Sequence, residues 1–164
     1  MCLSYIDVLF GIEPYHLWKD EQDHQTGDVK DGVPFQPDFK QQDEVFHGFV
    51  KRYPNIKCIA RHVRYAHSCS ENSLMAYLWY DGKTYESQKL RFHILDRVGG
   101  GDAFVSGIIY ALMNEYKPQD IADFGVAASA VKHTIHGDGN ITDDVSLIEH
   151  IMPVSYTHLR AHET

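Results

Sequence analysis

The chain has 164 residues and a formal net charge of −8, with 43% hydrophobic and 23% charged residues. These proportions are typical of a folded domain and exclude a disordered chain. The acidic balance argues against a nucleic-acid partner, and the lack of a long apolar stretch argues against a membrane partner. Three irregularly spaced cysteines and an opening without a signal-peptide pattern predict a cytoplasmic protein with reduced thiols.

The N-terminal third of the sequence predicts two strands separated by a polar loop and a helix. An apolar run at 5–11, which ends in glycine, predicts a buried strand. Residues 19–39 are dense in Asp, Gly, Gln and Pro, which favours an exposed loop or lid. Apolar residues at helical spacing predict a helix over 40–52, which Pro54 ends. A further strand is predicted over 57–63.

The middle of the sequence carries a hairpin pattern. Two β-prone runs, 73–80 and 83–90, are separated by Asp81 and Gly82, the pair that a type I′ turn prefers. Another short strand is predicted over 92–95. Aromatic residues in these runs favour ordinary cross-strand packing over ligand stacking.

The C-terminal part changes to helical periodicity. We predict an amphipathic helix over 103–115, a second over 118–132 with its proline at the first helical position, and a short one over 143–152 capped by Thr142. The tail at 153–164 has no periodicity and is interpreted as non-native, so it carries no weight here.

Consecutive glycines separate the last predicted strand from the first of these helices. Residues 99–101 are all glycine and precede Asp102. Glycine lets the backbone bend tightly and lets a ligand approach, and the N-terminus of a helix attracts phosphate. Asp102 could simply cap the helix, or it could act as a general base for a hydroxyl beside bound phosphates. The pattern leaves both interpretations open.

A wider resemblance gives this stretch more weight. The run D-R-V-G-G-G-D at 96–102 resembles the D-T-x-G-A-G-D signature of ribokinase-like (pfkB) sugar kinases, in the variant found in 2-keto-3-deoxygluconate kinases. Residues 131–140 resemble the K-H-T-I-x-G-D-x-N segment of that subgroup, and 80–87 resemble its hairpin. The resemblance covers about 5–152 with order and spacing kept.

The resemblance implies a fold and an activity. The fold would be an α/β, ribokinase-like layered fold, with a mostly parallel central sheet, helices on both faces and an antiparallel hairpin. Family members are nearly twice as long, so residues 1–152 are interpreted as the C-terminal part of such a kinase domain, inactive without the rest. The implied activity is ATP-dependent phosphorylation of a sugar acid, 2-keto-3-deoxygluconate, to its 6-phosphate. ATP, Mg²⁺ and a monovalent cation such as K⁺ would take part, and the full-length protein would form a homo-oligomer.

The resemblance also implies roles for individual residues. Asp102 would accept the proton of the sugar hydroxyl. The asparagine that usually accompanies the family's magnesium-binding glutamate is missing here. The other implied positions are the anion hole at Gly99, Gly100 and Gly101, the adenine border at His133 and Gly137, the sugar-acid contact at Asp138, the magnesium ligand Glu13, and the monovalent-cation ligand Asp96 with the Val98 carbonyl.

Alternatives remain open at this point. Arg97 replaces the usual threonine and could bind phosphate or be a solvated charge. The chain could also be a non-catalytic nucleotide- or phosphate-binding fragment, or part of a ribokinase-like kinase for another sugar or a nucleoside. A plain α/β domain, in which 99–102 is only a turn with a helix cap, is the remaining hypothesis.

Overall fold

The computed structural model describes residues 2–12, 38–139 and 145–152. The predicted loop at 19–39, apart from its last two residues, lies outside these ranges, as do Thr142 and the tail at 153–164. Among the described residues, no helix has the length and apolar character needed to cross a membrane. After a 3₁₀ turn, the elements are β1 (Val8–Phe10), α1 (Phe39–Arg52), β2 (Cys58–Ala66), β3 (Glu71–Tyr80), β4 (Lys83–Glu86), β5 (Leu90–His93), α2 (Gly100–Met113), α3 (Pro118–Lys132) and α4 (Val145–Ile151).

The strands form one five-stranded sheet in the order β1-β2-β3, with β4 and β5 sharing the far edge of β3. Only β1 and β2 are parallel; the other pairs are antiparallel. The expectation of a mostly parallel sheet is therefore wrong for the described residues. The reason is connection length: residues 67–70 join β2 to β3, and two residues join β3 to β4. Such short links permit only antiparallel pairing, because a parallel pair needs a crossover.

Helices cover both faces of the sheet, which confirms the α/β layered class. On one face α2, α3 and α4 pack against alternate residues of β2 and β3, including Ala60, Ala76 and Leu78. On the other face α1 packs against the intervening residues, such as Ile59 and Trp79. Because both faces are covered, every residue of β3 except its two ends is buried. Burial on two sides makes this strand the centre of the fold.

The hairpin turn is confirmed, but its second strand is shorter than predicted. Asp81 and Gly82 have φ values of 47° and 81°, as a type I′ turn requires. The ladder between β3 and β4 stops at Glu86. Next to it the Ser87 hydroxyl accepts the N–H of Ala76 at 2.7 Å. The Ser87 N–H still donates to the Ala76 carbonyl at 2.8 Å, so the side chain replaces only the return bond of the ladder before the chain comes back to β3 as β5.

Candidate active site

The site is built where the chain leaves β5 and enters α2. Gly99 is the N-cap of α2 and has a left-handed φ of 77°, a conformation that residues with a Cβ rarely adopt. A Cβ on Gly99 would also lie 2.9 Å from the backbone oxygen of Asp138. This glycine is therefore required by its backbone angle and by the close approach of a second segment.

The N-terminus of α2 is open to a ligand. The first helical residues are Gly100, Gly101 and Asp102, and no side chain among the described residues caps them. The first turn of a helix leaves N–H groups without intrahelical partners, and the helix dipole favours an anion there. Asp102 is exposed and makes no capping bond. The interpretation of Asp102 as the helix cap is therefore wrong, because Gly99 takes that position.

Helix α3 packs against residues 99–101, which we call the glycine turn. The Ser129 hydroxyl donates to the carbonyl oxygen of Gly100 at 2.8 Å. The His133 ring lies against Gly100, since a Cβ there would overlap it. His133 is buried, and its Nδ1 bonds the Ser129 carbonyl at 2.7 Å. Burial lowers the pKa of His133, so the ring is neutral at physiological pH and suits a buried supporting role. Contact between this segment and adenine remains a prediction.

The predicted cation ligand Asp96 ties the loop before α2 to the turn after α3. Its carboxylate accepts the N–H of Val98 at 3.0 Å and the N–H of Gly137 at 2.8 Å. These two bonds lower the pKa of Asp96 and keep it ionised. Gly137 has a left-handed φ of 81°, which suits the turn. The binding of a monovalent cation by Asp96 remains a prediction.

Sequence reasoning missed Lys132, the last residue of α3. Its side chain is only 1% exposed. The ammonium donates to the carbonyl oxygens of Gly137 at 2.7 Å and Ile135 at 3.3 Å. A lysine in the last turn of a predicted helix commonly binds the final carbonyls, and this signal could have identified these two bonds but not the position of Lys132 beside the cavity.

A cavity of about 330 Å³ lies between α2, α3 and α4, against the glycine turn. Asp102 and Asp138 both line it, so the structure brings the predicted base and the predicted sugar contact together. Asp96 and His133 are not among its lining residues. Gly99, Lys132 and Asp138 lie next to one another in the lining, and we call this part the polar end of the cavity; most of the lining surface is apolar. The described lining consists of Gly99, Asp102, Ala103, Ser106, Gly107, Tyr110, Phe124, Ala128, Lys132, Asp138, Val145 and Ile148.

Gly100, Gly101, Gly137 and Arg97 are not among the described lining residues of this cavity. Glu13 lies outside the described residues. Within the described part of the chain, no three His, Cys, Asp or Glu residues are grouped to hold a metal ion. The Arg97 guanidinium donates to the carbonyl of Cys69 at 3.1 Å and is otherwise exposed. This bond links the loop before α2 to the turn between β2 and β3.

Comparison with known proteins points to one family. The model described as pfkB family carbohydrate kinase matches residues 75–144, which include the glycine turn, α2 and α3. The chain is 31% identical over 71 residues to 5-dehydro-2-deoxygluconokinase of Clostridium botulinum strain Alaska E43, covering 43% of this chain and 20% of that protein.

Solved structures match over a longer range. The 2-dehydro-3-deoxygluconokinase of Thermotoga maritima superimposes with a TM-score of 0.73 and 26% identity, over 92% of this chain and 42% of that one. A putative 2-keto-3-deoxygluconate kinase of Enterococcus faecalis superimposes with a TM-score of 0.67 and 27% identity, over 91% of this chain and 41% of that one. The chain thus spans less than half the length of these relatives.

Proposed function

We propose that this chain, whose residues 75–144 match the pfkB family carbohydrate kinase model, is part of a kinase that transfers the γ-phosphoryl group of ATP to a sugar acid. The preferred substrate in this proposal is 2-keto-3-deoxygluconate, and the product is its 6-phosphate. The observation that carries the proposal is the position of Asp102 in the first turn of α2. Its carboxylate is exposed, makes no capping hydrogen bond and lines the cavity.

Asp102 acts as the general base. Its carboxylate accepts the proton of the terminal sugar hydroxyl while that oxygen forms a bond to the γ-phosphorus. The bond from the γ-phosphorus to the bridging oxygen breaks at the same time, and ADP leaves. Phosphoryl transfer requires mostly positioning and charge stabilisation from the protein. An aspartate with no other hydrogen bond among the described residues is available for this step.

The N–H groups of the glycine turn form the anion hole. In this proposal they face the space beside Gly101, where a Cβ would meet no atom of the described residues within 4 Å. The transferring phosphoryl group occupies that space, and the helix dipole stabilises its negative charge. Ser129 and His133 fix the turn from behind, so the donors are preorganised.

The apolar part of the cavity takes the base of the nucleotide. It is walled by α2 and α3, with Gly107, Tyr110, Phe124 and Ala128 among its lining. The whole cavity has a volume of about 330 Å³, which lies within the usual range of small-molecule sites, about 300–1,000 Å³. The base lies over this apolar lining, outside the close contact of Gly107 with Ala128, and the phosphates extend toward Gly99.

Magnesium would enter with the nucleotide. In kinase sites it is bound by one or two carboxylates together with the phosphates, so the missing three-residue cluster is no obstacle. Glu13 is the proposed ligand. The ion supplies neutralisation of phosphate charge. A monovalent cation at Asp96 and the Val98 carbonyl belongs to the same proposal.

The choice of substrate follows the names of the relatives. The structural relatives from Thermotoga and Enterococcus are named for 2-dehydro-3-deoxygluconate, also written 2-keto-3-deoxygluconate. The Clostridium relative is named for 5-dehydro-2-deoxygluconate. Both compounds are deoxygenated keto acids with a terminal hydroxyl, so 5-dehydro-2-deoxygluconate is the second candidate. We assign the contact with sugar hydroxyls to Asp138.

The test is a phosphorylation assay of the full-length gene product with ATP and each keto acid, with gluconate and ribose as controls. We expect the highest kcat/KM with 2-keto-3-deoxygluconate, and ³¹P NMR should locate the phosphate on the terminal oxygen. A preference for 5-dehydro-2-deoxygluconate would select the second substrate. Binding of ATP without phosphorylation of any sugar would support the non-catalytic alternative.

A further inference from the structure

We infer that Lys132 is a positioning residue of the phosphate site, and that its positive charge makes the cavity selective for polyphosphates; this rests on the proposed function. Lys132 ends α3, and its side chain reaches the polar end of the cavity. Among the described residues that line this cavity it is the only basic one, whereas Asp102 and Asp138 are acidic. Without Lys132, the lining would repel a nucleotide phosphate.

Among the described residues the Lys132 ammonium makes no ion pair, although its charge acts on Asp96 from a distance and helps to lower the pKa of that carboxyl. Its hydrogen bonds go to the carbonyl oxygens of Gly137 and Ile135, and no carboxylate of the described residues lies within ion-pair distance. An ammonium has three donors, so one remains for a ligand. A buried, unpaired charge is costly, and an anion bound in the cavity would offset that cost.

Lys132 also joins the two segments that define the polar end of the cavity. Its Cε would lie 3.1 Å from a Cβ on Gly99, so its aliphatic stem packs against the glycine turn. Its ammonium binds the carbonyl of Gly137, whose N–H is bound by Asp96. One side chain therefore fixes the separation between the proposed anion hole and Asp138.

A simpler role must be distinguished. A lysine at a helix C-terminus can serve only to bind the last carbonyls and to interact favourably with the helix dipole. That role affects stability, and it affects every ligand of the cavity equally. A phosphate-specific role affects ATP and ADP but not adenosine, which lacks phosphate.

The experiment compares wild type, K132M and K132Q as full-length gene products. Calorimetry measures the Kd of ATP, ADP and adenosine, and thermal unfolding measures stability. Lys51 lies in the last turn of α1 and is exposed, so K51M is the matched control. We expect K132M to raise the Kd of ATP and ADP by about tenfold or more, the usual effect of losing a charged hydrogen bond. The Kd of adenosine should rise by less than about twofold. K51M should leave all three unchanged.

K132Q keeps a donor for Gly137 and loses the charge, so it covers the case in which K132M does not fold. We expect K132Q to recover stability but not ATP affinity. Equal weakening of ATP and adenosine, or full recovery of ATP binding by K132Q, would overturn the inference and leave the proposed function intact. A wild-type protein that binds no nucleotide would overturn both.

Discussion

The His133 ring lies directly beneath Gly100, with Nε2 2.9 Å from the position that a Cβ on Gly100 would occupy. The ring is held by its Nδ1 bond to Ser129 and packs on Phe92, with the ring centroids 5.2 Å apart. At the next residue, Gly101, no atom in the described part of the chain lies within 4 Å of such a Cβ. Two adjacent glycines therefore differ in their surroundings: Gly100 packs against a ring, and Gly101 borders open space.

This difference predicts opposite effects of substitution. G100A forces a methyl group into the His133 ring, so we expect a loss of about 1–3 kcal/mol in the free energy of unfolding, as for other overpacked sites. G101V adds its side chain in open space and should leave the unfolding temperature nearly unchanged. It should nevertheless weaken ATP binding by about tenfold or more, because the side chain covers the N–H groups that bind phosphate.

Thermal unfolding and calorimetry of both variants provide the measurement, and G101A is the control. Alanine is favoured over glycine in a helix by about 0.5–1 kcal/mol, so G101A should be at least as stable as wild type. Normal ATP binding by a folded G101V protein would show that this turn does not bind phosphate.

Sequence patterns predicted the elements whose signals are local. Helix α3 was predicted at its observed bounds, because Pro118 marks its start and apolar residues follow at helical spacing. The hairpin turn was predicted because Asp81 and Gly82 favour positive φ. The start of α2 was predicted at residue 103 but lies at Gly100, because glycine has low helix propensity and its presence argues against a helix there.

Relationships between distant segments could not be predicted from the residues. Nothing local indicates that β5 returns to the edge of β3, that His133 packs under Gly100, or that Lys132 reaches the cavity. These contacts depend on how α3 packs across α2 and the sheet. The resemblance to pfkB kinases pointed to the Asp102 region and to a nucleotide contact near His133, which stays a prediction; the packing of the buried His133 ring under Gly100 emerged only from the structure.

Asp102 is the residue whose replacement tests the proposed chemistry. D102N removes the proton acceptor and keeps the shape of the side chain. We expect kcat for sugar phosphorylation to fall by a factor of about 10²–10⁴, the usual contribution of a general base. The Kd of ATP should change little, because the N–H groups that bind phosphate are retained.

Thermal unfolding of D102N supplies the control for folding. Asp102 is exposed and makes no capping bond, so the unfolding temperature should match that of wild type. Turnover near the wild-type rate would exclude Asp102 as the base.

Asp138 tests the placement of the sugar. Its Oδ1 lies 3.3 Å from the position of a Cβ on Gly99, at the polar end of the cavity. We expect D138A to raise KM for the keto acid by about tenfold, as removal of a charged hydrogen bond does, and to leave KM for ATP unchanged. Steady-state kinetics with each substrate varied in turn measure both. A rise in KM for ATP, without a rise in KM for the keto acid, would instead assign Asp138 to the nucleotide site.

The last prediction concerns the pH dependence of stability. Burial lowers the pKa of His133 below its ordinary value of 6.5, and burial likewise lowers the pKa of His62. The unfolded chain therefore binds protons below about pH 6.5 that the folded chain does not, and stability falls as the pH drops through that value.

Asparagine can replace the Nδ1 donor of histidine but does not titrate. We expect urea unfolding between pH 7.5 and 5.5 to show a smaller loss of stability for H133N than for wild type, with the remainder due to His62 and other groups. Identical pH dependence in the two proteins would mean that His133 titrates normally and is not held neutral under the glycine turn.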